Sequence, residues 1–159
     1  MRISRVFLSW DFALSLLAAV ATVFFCPSLI SMSMAKDFYS IGVSVLSIVF
    51  SVFFAALAII MSSGDNEFIT FLHEDGTYSE IIWSFRFTII ILFVSLLGSL
   101  AEYAYVGFRL AHKAEWQSKW FLVIFVGYFT YSLFAVALSV LDAIKYSSVR
   151  VRYLNSKKK

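Results

Sequence analysis

The stretch 38–62 limits the fold more than any other, because it is long and apolar enough to form a membrane-crossing helix. Along it Ser40, Ser44, Ser47, Ser51, Ala55, Ala58 and Ser62 recur at steps of four, three, four, four, three and four. Such steps keep them in one stripe along an α-helix, since residues three or four apart share a face. The rest of that surface is Ile, Val, Leu and Phe, suited to lipid or to a packed neighbour. A serine hydroxyl is tolerated in hydrocarbon when it bonds the carbonyl one turn back or a neighbouring helix. Undersized side chains also let a second backbone approach closely, where dispersion contacts drive association. The stripe therefore reads either as a tight helix–helix seam or as a wetted, pore-facing surface in an oligomer.

The remainder of the chain shares this character. Of its 159 residues 61% are hydrophobic and 14% charged, against about 25% charged in ordinary soluble domains. The length fits one domain. A single Pro and few Gly favour long uninterrupted helices over disorder. The net charge of +3 gives no footing for nucleic acid, because six of the thirteen Lys and Arg lie after Leu141. The lone cysteine, Cys26, cannot form an intrachain disulfide and sits in an apolar run before Pro27, so it reads as a core thiol.

The expectation is an all-α integral membrane protein with four transmembrane helices, at about 10–30, 38–62, 81–108 and 119–144. A signal peptide is weighed for the first run, given the Ser33-Met34-Ala35 sequence. The apolar run is longer than the usual core of about 7–15 residues, so it reads as a helix bent or ended near Pro27. Asp37 is expected to cap the second helix and Gly64 to end it. Between the second and third helices, Phe68, Phe71 and Leu72 fall opposite Glu67, Thr70 and Glu74, which suggests a short interfacial helix at 65–75. Thr77 and Glu80 then match a capping box. A basic tail occupies 145–159.

Orientation follows from the basic residues. With four crossings, Arg2, Arg5, Arg86, Lys145, Arg150, Arg152, Lys157, Lys158 and Lys159 share one side, against Lys36, Arg109, Lys113 and Lys119 on the other. That asymmetry places both termini in the cytoplasm.

Few polar groups fall inside the helices. Arg86 and Asp142 sit at matching depths in the third and fourth helices, where a charge is costly unless paired, so an ion pair is expected, with Asp11 as a competitor. Tyr128, Ser132, Ala135, Ser139 and Asp142 share one face of the fourth helix. Helices two and four thus present hydroxyl surfaces that either pack on each other or line a central path in an oligomer. Glu102 is expected to snorkel to the interface, with pairing to Lys36, Arg109 or Lys119 as the alternative. His73-Glu74-Asp75 invites an enzymatic reading, but one His in a short acidic run, with His112 across the membrane, supplies no zinc spacing, phosphate loop or nucleophile elbow. No enzyme, metal or cofactor is expected. The acidic loop (Asp65, Glu67, Phe68, Phe71, Leu72, Glu74, Asp75) and the tail (Arg150, Arg152, Lys157, Lys158, Lys159) face the same compartment. They suit a cytosolic protein partner, with anionic lipid headgroups an alternative for the tail.

The stretch from Ala55 to Ser63, followed by an interfacial segment with Gly76 and Tyr78, resembles small four-helix prokaryotic phage-exclusion proteins. The membrane component of the Rex system is the nearest in kind, and the overall plan is similar to the membrane subunit of the Kiwa defence system. The acidic loop here departs from the basic one of the Rex pattern. The resemblance implies a subunit of an antiviral defence or stress system in the bacterial inner membrane. The expected protein is then a non-enzymatic homo-oligomer, for instance a tetramer, joined through the stripe and coupled to a cytosolic protein. The alternatives are a gated ion-conducting pore, with Ser44, Ser47 and Ser51 facing water, and an assembly factor for a larger membrane complex.

Overall fold

The computed structural model describes residues 10–62 and 77–156. This part is helical apart from one short ribbon: α1, Trp10–Phe25; β1, Leu29–Ser31; α2, Met32–Ser62; α3, Thr77–Ala111; β2, Trp116–Ser118; α4, Lys119–Ser156. Three of the four helices, α2, α3 and α4, are long and apolar enough to cross a membrane. The 16 residues of α1 extend about 24 Å at 1.5 Å per residue, short of the roughly 30 Å of a hydrocarbon core.

Helix boundaries have local causes. The amide of Cys26 donates to the Thr22 carbonyl at 3.0 Å, and Pro27, next in line, has no N–H with which to continue. The following helix begins at Met32 rather than at Asp37, which lies exposed within it. The Met32 amide, an orphan donor that a capping side chain would otherwise satisfy, donates to the Glu115 carbonyl at 3.0 Å. At the end of α3 the Ala114 amide donates to the Arg109 carbonyl and the Lys113 amide to the Leu110 carbonyl, both at 3.0 Å. That is the Schellman pattern, with Lys113 in the left-handed region at φ 60° where glycine is usual. The last helix continues to Ser156, so 145–156 is helical where a basic tail was expected.

The ribbon ties the two loops at this end together. Its strands pair antiparallel, Leu29 with Ser118, Ile30 with Gln117 and Ser31 with Trp116. Ile30 and Gln117 both turn into the core. In the row of helices α2 lies on α3, α3 on α4, and α4 on α1. Near the ribbon the core holds Met32, Tyr39, Val106, Leu122 and Phe125. Farther down, Leu46 and Phe53 of α2 meet Phe85 and Leu92 of α3. The face of α2 that carries Tyr39, Gly42, Leu46 and Phe53 is therefore the inward one. Gly42 is needed there, because a Cβ at that position would run into the ring of Phe125.

The expected interfacial helix at 65–75, with Asp65, Glu67, Phe68, Phe71, Leu72, Glu74 and Asp75, lies outside the described residues, as do Lys157, Lys158 and Lys159. Ser62, Arg150 and Arg152 belong to helices, but their side chains, like that of Asp11, also lie outside the description.

Candidate functional site

Two polar surfaces run along the helices, and they differ in kind. The first is the stripe on α2. Ser40, Ser44, Ser51, Ala55 and Ala58 are exposed and Ser47 is partly so. At 100° per residue the stripe lies nearly opposite the inward face of the same helix. Its hydroxyls bond their own backbone: Ser44 donates to the Ser40 carbonyl at 2.9 Å, Ser47 to Val43 at 2.7 Å and Ser51 to Ser47 at 2.8 Å. The stripe is a shallow groove in which these three hydroxyls are satisfied, flanked by the exposed side chains of Ile41, Ile48 and Val52 on one side and Phe54 on the other.

The expected packing of helix two on helix four through their hydroxyl faces does not occur within the chain, because large apolar side chains hold α2 to α3 and turn the stripe outward. The hydroxyl face of α4 instead meets α3. Thr88 and Ser139 hydroxyls lie 2.6 Å apart, and Ser132 donates to Ser95 at 2.6 Å with the Tyr128 carbonyl, at 2.7 Å, as its alternative acceptor. Tyr128 donates to Glu102 Oε2 at 2.8 Å and stands 3.3 Å from Ser99 Oγ. At the other end Ser84 donates to Asp142 Oδ2 at 3.4 Å. From Thr88 to Ser95 is seven residues up α3, and from Ser139 to Ser132 is seven down α4. Matched sevens keep two antiparallel helices in register along a shallow left-handed crossing. Between these rungs Leu92 and Ala135 form a buried apolar layer.

Hydroxyl groups meet both carboxylates of this seam. Among the described residues Asp142 is met by Ser84; Arg86 is exposed, and two residues farther along the helix it lies some 200° around from Ser84. Glu102 is met by Tyr128 and by no cation among the described residues. Lys36 instead lies over the Tyr103 ring, 5.9 Å from its centroid, Lys119 donates to the Val23 carbonyl at 3.1 Å, and Arg109 is exposed.

Sequence reading found the face of α4 but missed its partners Ser84, Thr88, Ser95, Ser99 and Glu102. Their spacings of four, seven, four and three carried the signal, since they also fall on one helical face. An apolar cleft of about 450 Å³ opens beside this seam between α1, α3 and α4, bounded by Ser15, Ala19, Phe87, Ile91 and Gly127. Among the described residues no group of three or more His, Cys, Asp or Glu is placed to hold a metal ion.

These features define a class: a helical protein with three segments long and apolar enough to cross a membrane, a buried hydroxyl seam, and an outward stripe of small residues. The chain matches no protein-family model, no curated protein and no solved structure.

Proposed function

We propose that the chain is a non-enzymatic subunit of a homo-oligomeric membrane assembly, joined through the stripe on α2. The observation that carries this reading is the outward position of Ser40, Ser44, Ser51, Ala55 and Ala58 while the bulky side chains of the same helix make the internal core. In lipid, small residues on an exposed face leave dispersion contacts unmade until a second backbone fits against them. In this reading α1 is a fourth crossing, since Leu17, Phe24 and Phe25 are too apolar and too exposed for water. Both termini and 63–76 lie in the cytoplasm, where the acidic loop and basic α4 end engage a soluble protein. The resemblance of the Ala55–Ser63 region extends the proposal to the membrane subunit of a bacterial defence or stress system, seated in the inner membrane.

The pore reading rests on the same stripe, with Ser44, Ser47 and Ser51 lining water. Reconstituted protein separates the two. A sensor subunit leaves vesicles impermeable and co-purifies with its soluble partner. A pore passes ions, and Ser47→Leu closes it. In either case the solubilised particle should be several chains in mass, and Ser47→Leu with Ala55→Leu should reduce it; an unchanged mass would remove the stripe from the assembly.

A further inference from the structure

Three side chains at the ribbon end of the seam make more contacts than they have hydrogens to fill. Tyr128 Oη lies 2.8 Å from Glu102 Oε2 and 3.3 Å from Ser99 Oγ, and Ser99 Oγ lies 2.9 Å from the Ser95 carbonyl. Each contact needs one hydrogen. A phenol and a serine hydroxyl bring one each, and an ionised carboxylate brings none. Two hydrogens then serve three contacts, so one pair of oxygens meets without a proton whichever way the hydroxyls turn. Ser99 is 0% exposed, and solvent does not relieve the pair. Tyr128 is held where it is by its ring, edge-on to Phe125 at 5.6 Å, with the phenol end beside Gly98. Glu102 has one hydrogen-bond partner and no cation among the described residues. It also lies within the apolar span Ile82–Ala111, nine residues before the end of α3, about 13 Å along the helix. A charge at such a depth is costly unless paired.

We propose that Glu102 is a proton-binding site whose neutral carboxyl completes this chain of contacts. A proton from solvent bonds to Glu102 Oε2, and the new O–H donates to Tyr128 Oη. The Tyr128 hydrogen turns from Glu102 to Ser99 Oγ, and Ser99 goes on donating to the Ser95 carbonyl. Three contacts then hold three hydrogens, no charge remains, and Tyr128 of α4 is tied to α3 at two points. Release of the proton restores the charge and empties one contact, so the site couples proton concentration to the packing of α3 on α4. The other titratable or charged groups around it are few. From α2 they are the buried Tyr39 and Lys36, whose Nζ lies 5.9 Å over the Tyr103 ring of α3. Lys119 of α4 is occupied on the Val23 carbonyl, and α1 adds none among the described residues. The inference rests on the placement of α3 and α4 in a membrane and not on the α2 stripe, so failure of assembly through α2 leaves it standing.

The test is infrared spectroscopy of the protein reconstituted in vesicles at about pH 6.5, where carboxyls in water are ionised. The C=O band of a protonated carboxyl is expected in the parent, absent from Glu102→Gln, and shifted or abolished by Tyr128→Phe. Thermal unfolding of the solubilised protein gives a second readout. The folded chain holds this proton where the unfolded chain, with its carboxyl in water, has released it. The added stability is therefore present at low pH and lost as pH rises through the interval in which the band disappears. The midpoint should fall by about 3–5 °C for each tenfold difference in proton affinity between the two states. Glu102→Gln, whose amide N–H supplies the missing hydrogen, should keep the parent's low-pH midpoint throughout. No band in the parent, or a band that both substitutions leave unchanged, overturns the proposal. So does a parent midpoint that falls with pH when the Glu102→Gln midpoint falls with it. Where Glu102→Gln does not fold, the response of the band to Tyr128→Phe decides alone.

Discussion

The Ser95–Ser132 rung offers the sharpest perturbation of the seam. Both side chains are buried, 5% and 0% exposed, with their oxygens 2.6 Å apart. Exchange of either for Ala removes one oxygen and almost no volume, so packing is nearly constant. The two changes are not equivalent. Without Ser95, Ser132 keeps the Tyr128 carbonyl at 2.7 Å as an acceptor, and the loss should be about 0.5 kcal/mol. Without Ser132, the Ser95 hydroxyl is left in the seam with no partner on α4, and the loss should be about 1.5 kcal/mol. The double variant should cost about 0.6 kcal/mol less than the sum of the singles, the average for hydrogen bonds between membrane helices. Reversible unfolding in mixed micelles by added denaturing detergent measures all four corners of the cycle. Ser44→Ala and Ser51→Ala are the controls, since their hydroxyls bond only their own helix, and each should stay within about 0.5 kcal/mol of the parent. Additive singles, or a larger loss for Ser95→Ala than for Ser132→Ala, would refute the assignment of the rung.

Two further substitutions test the packing and the turn at the ribbon end. Gly42→Ala gains about 1 kcal/mol of helix propensity but forces the buried Phe125 ring aside; overpacking costs about 1–3 kcal/mol, so a net loss is expected on thermal unfolding, relieved by adding Phe125→Leu. A stabilised Gly42→Ala variant would contradict the close approach. Lys113→Gly should raise the unfolding midpoint, by about 0.5 kcal/mol in stability once the extra freedom of glycine in the unfolded chain offsets the relief of a left-handed residue. A lowered midpoint would contradict the Schellman turn.

Much of the helical architecture was legible from apolar length alone, because long apolar runs without proline have few other ways to satisfy their backbone. The face shared by Tyr128, Ser132, Ser139 and Asp142 was legible too, from spacing. Its partner was not. Periodicity says which residues share a face but not which neighbour that face meets, and the stripe on α2 competed for it. What decided the outcome was bulk: Leu46 and Phe53 fill the interface with Phe85 and Leu92, so the small side of α2 turns away. The ribbon was hidden because three-residue strands carry no usable alternation. It forms where two loops meet, and that meeting also moves the start of α2 from Asp37 back to Met32 by supplying the Glu115 carbonyl. Matching depth is also not matching face: Ser84 donates to Asp142, and Arg86 lies well around the helix from Ser84.

Disulfide trapping in native membranes bears most directly on assembly through the stripe. With Cys26 replaced by Ser, single cysteines at Ser44 and Ser51 would lie in the groove, and one at Ile124, exposed on α4, would lie on a different surface. A disulfide needs Cα atoms about 4.4–6.8 Å apart, so only a close approach of two copies can form it. Rapid covalent dimers at Ser44→Cys and Ser51→Cys, with little at Ile124→Cys, are the expected result. Equal trapping at all three positions, or trapping at Ile124→Cys alone, would contradict assembly through α2.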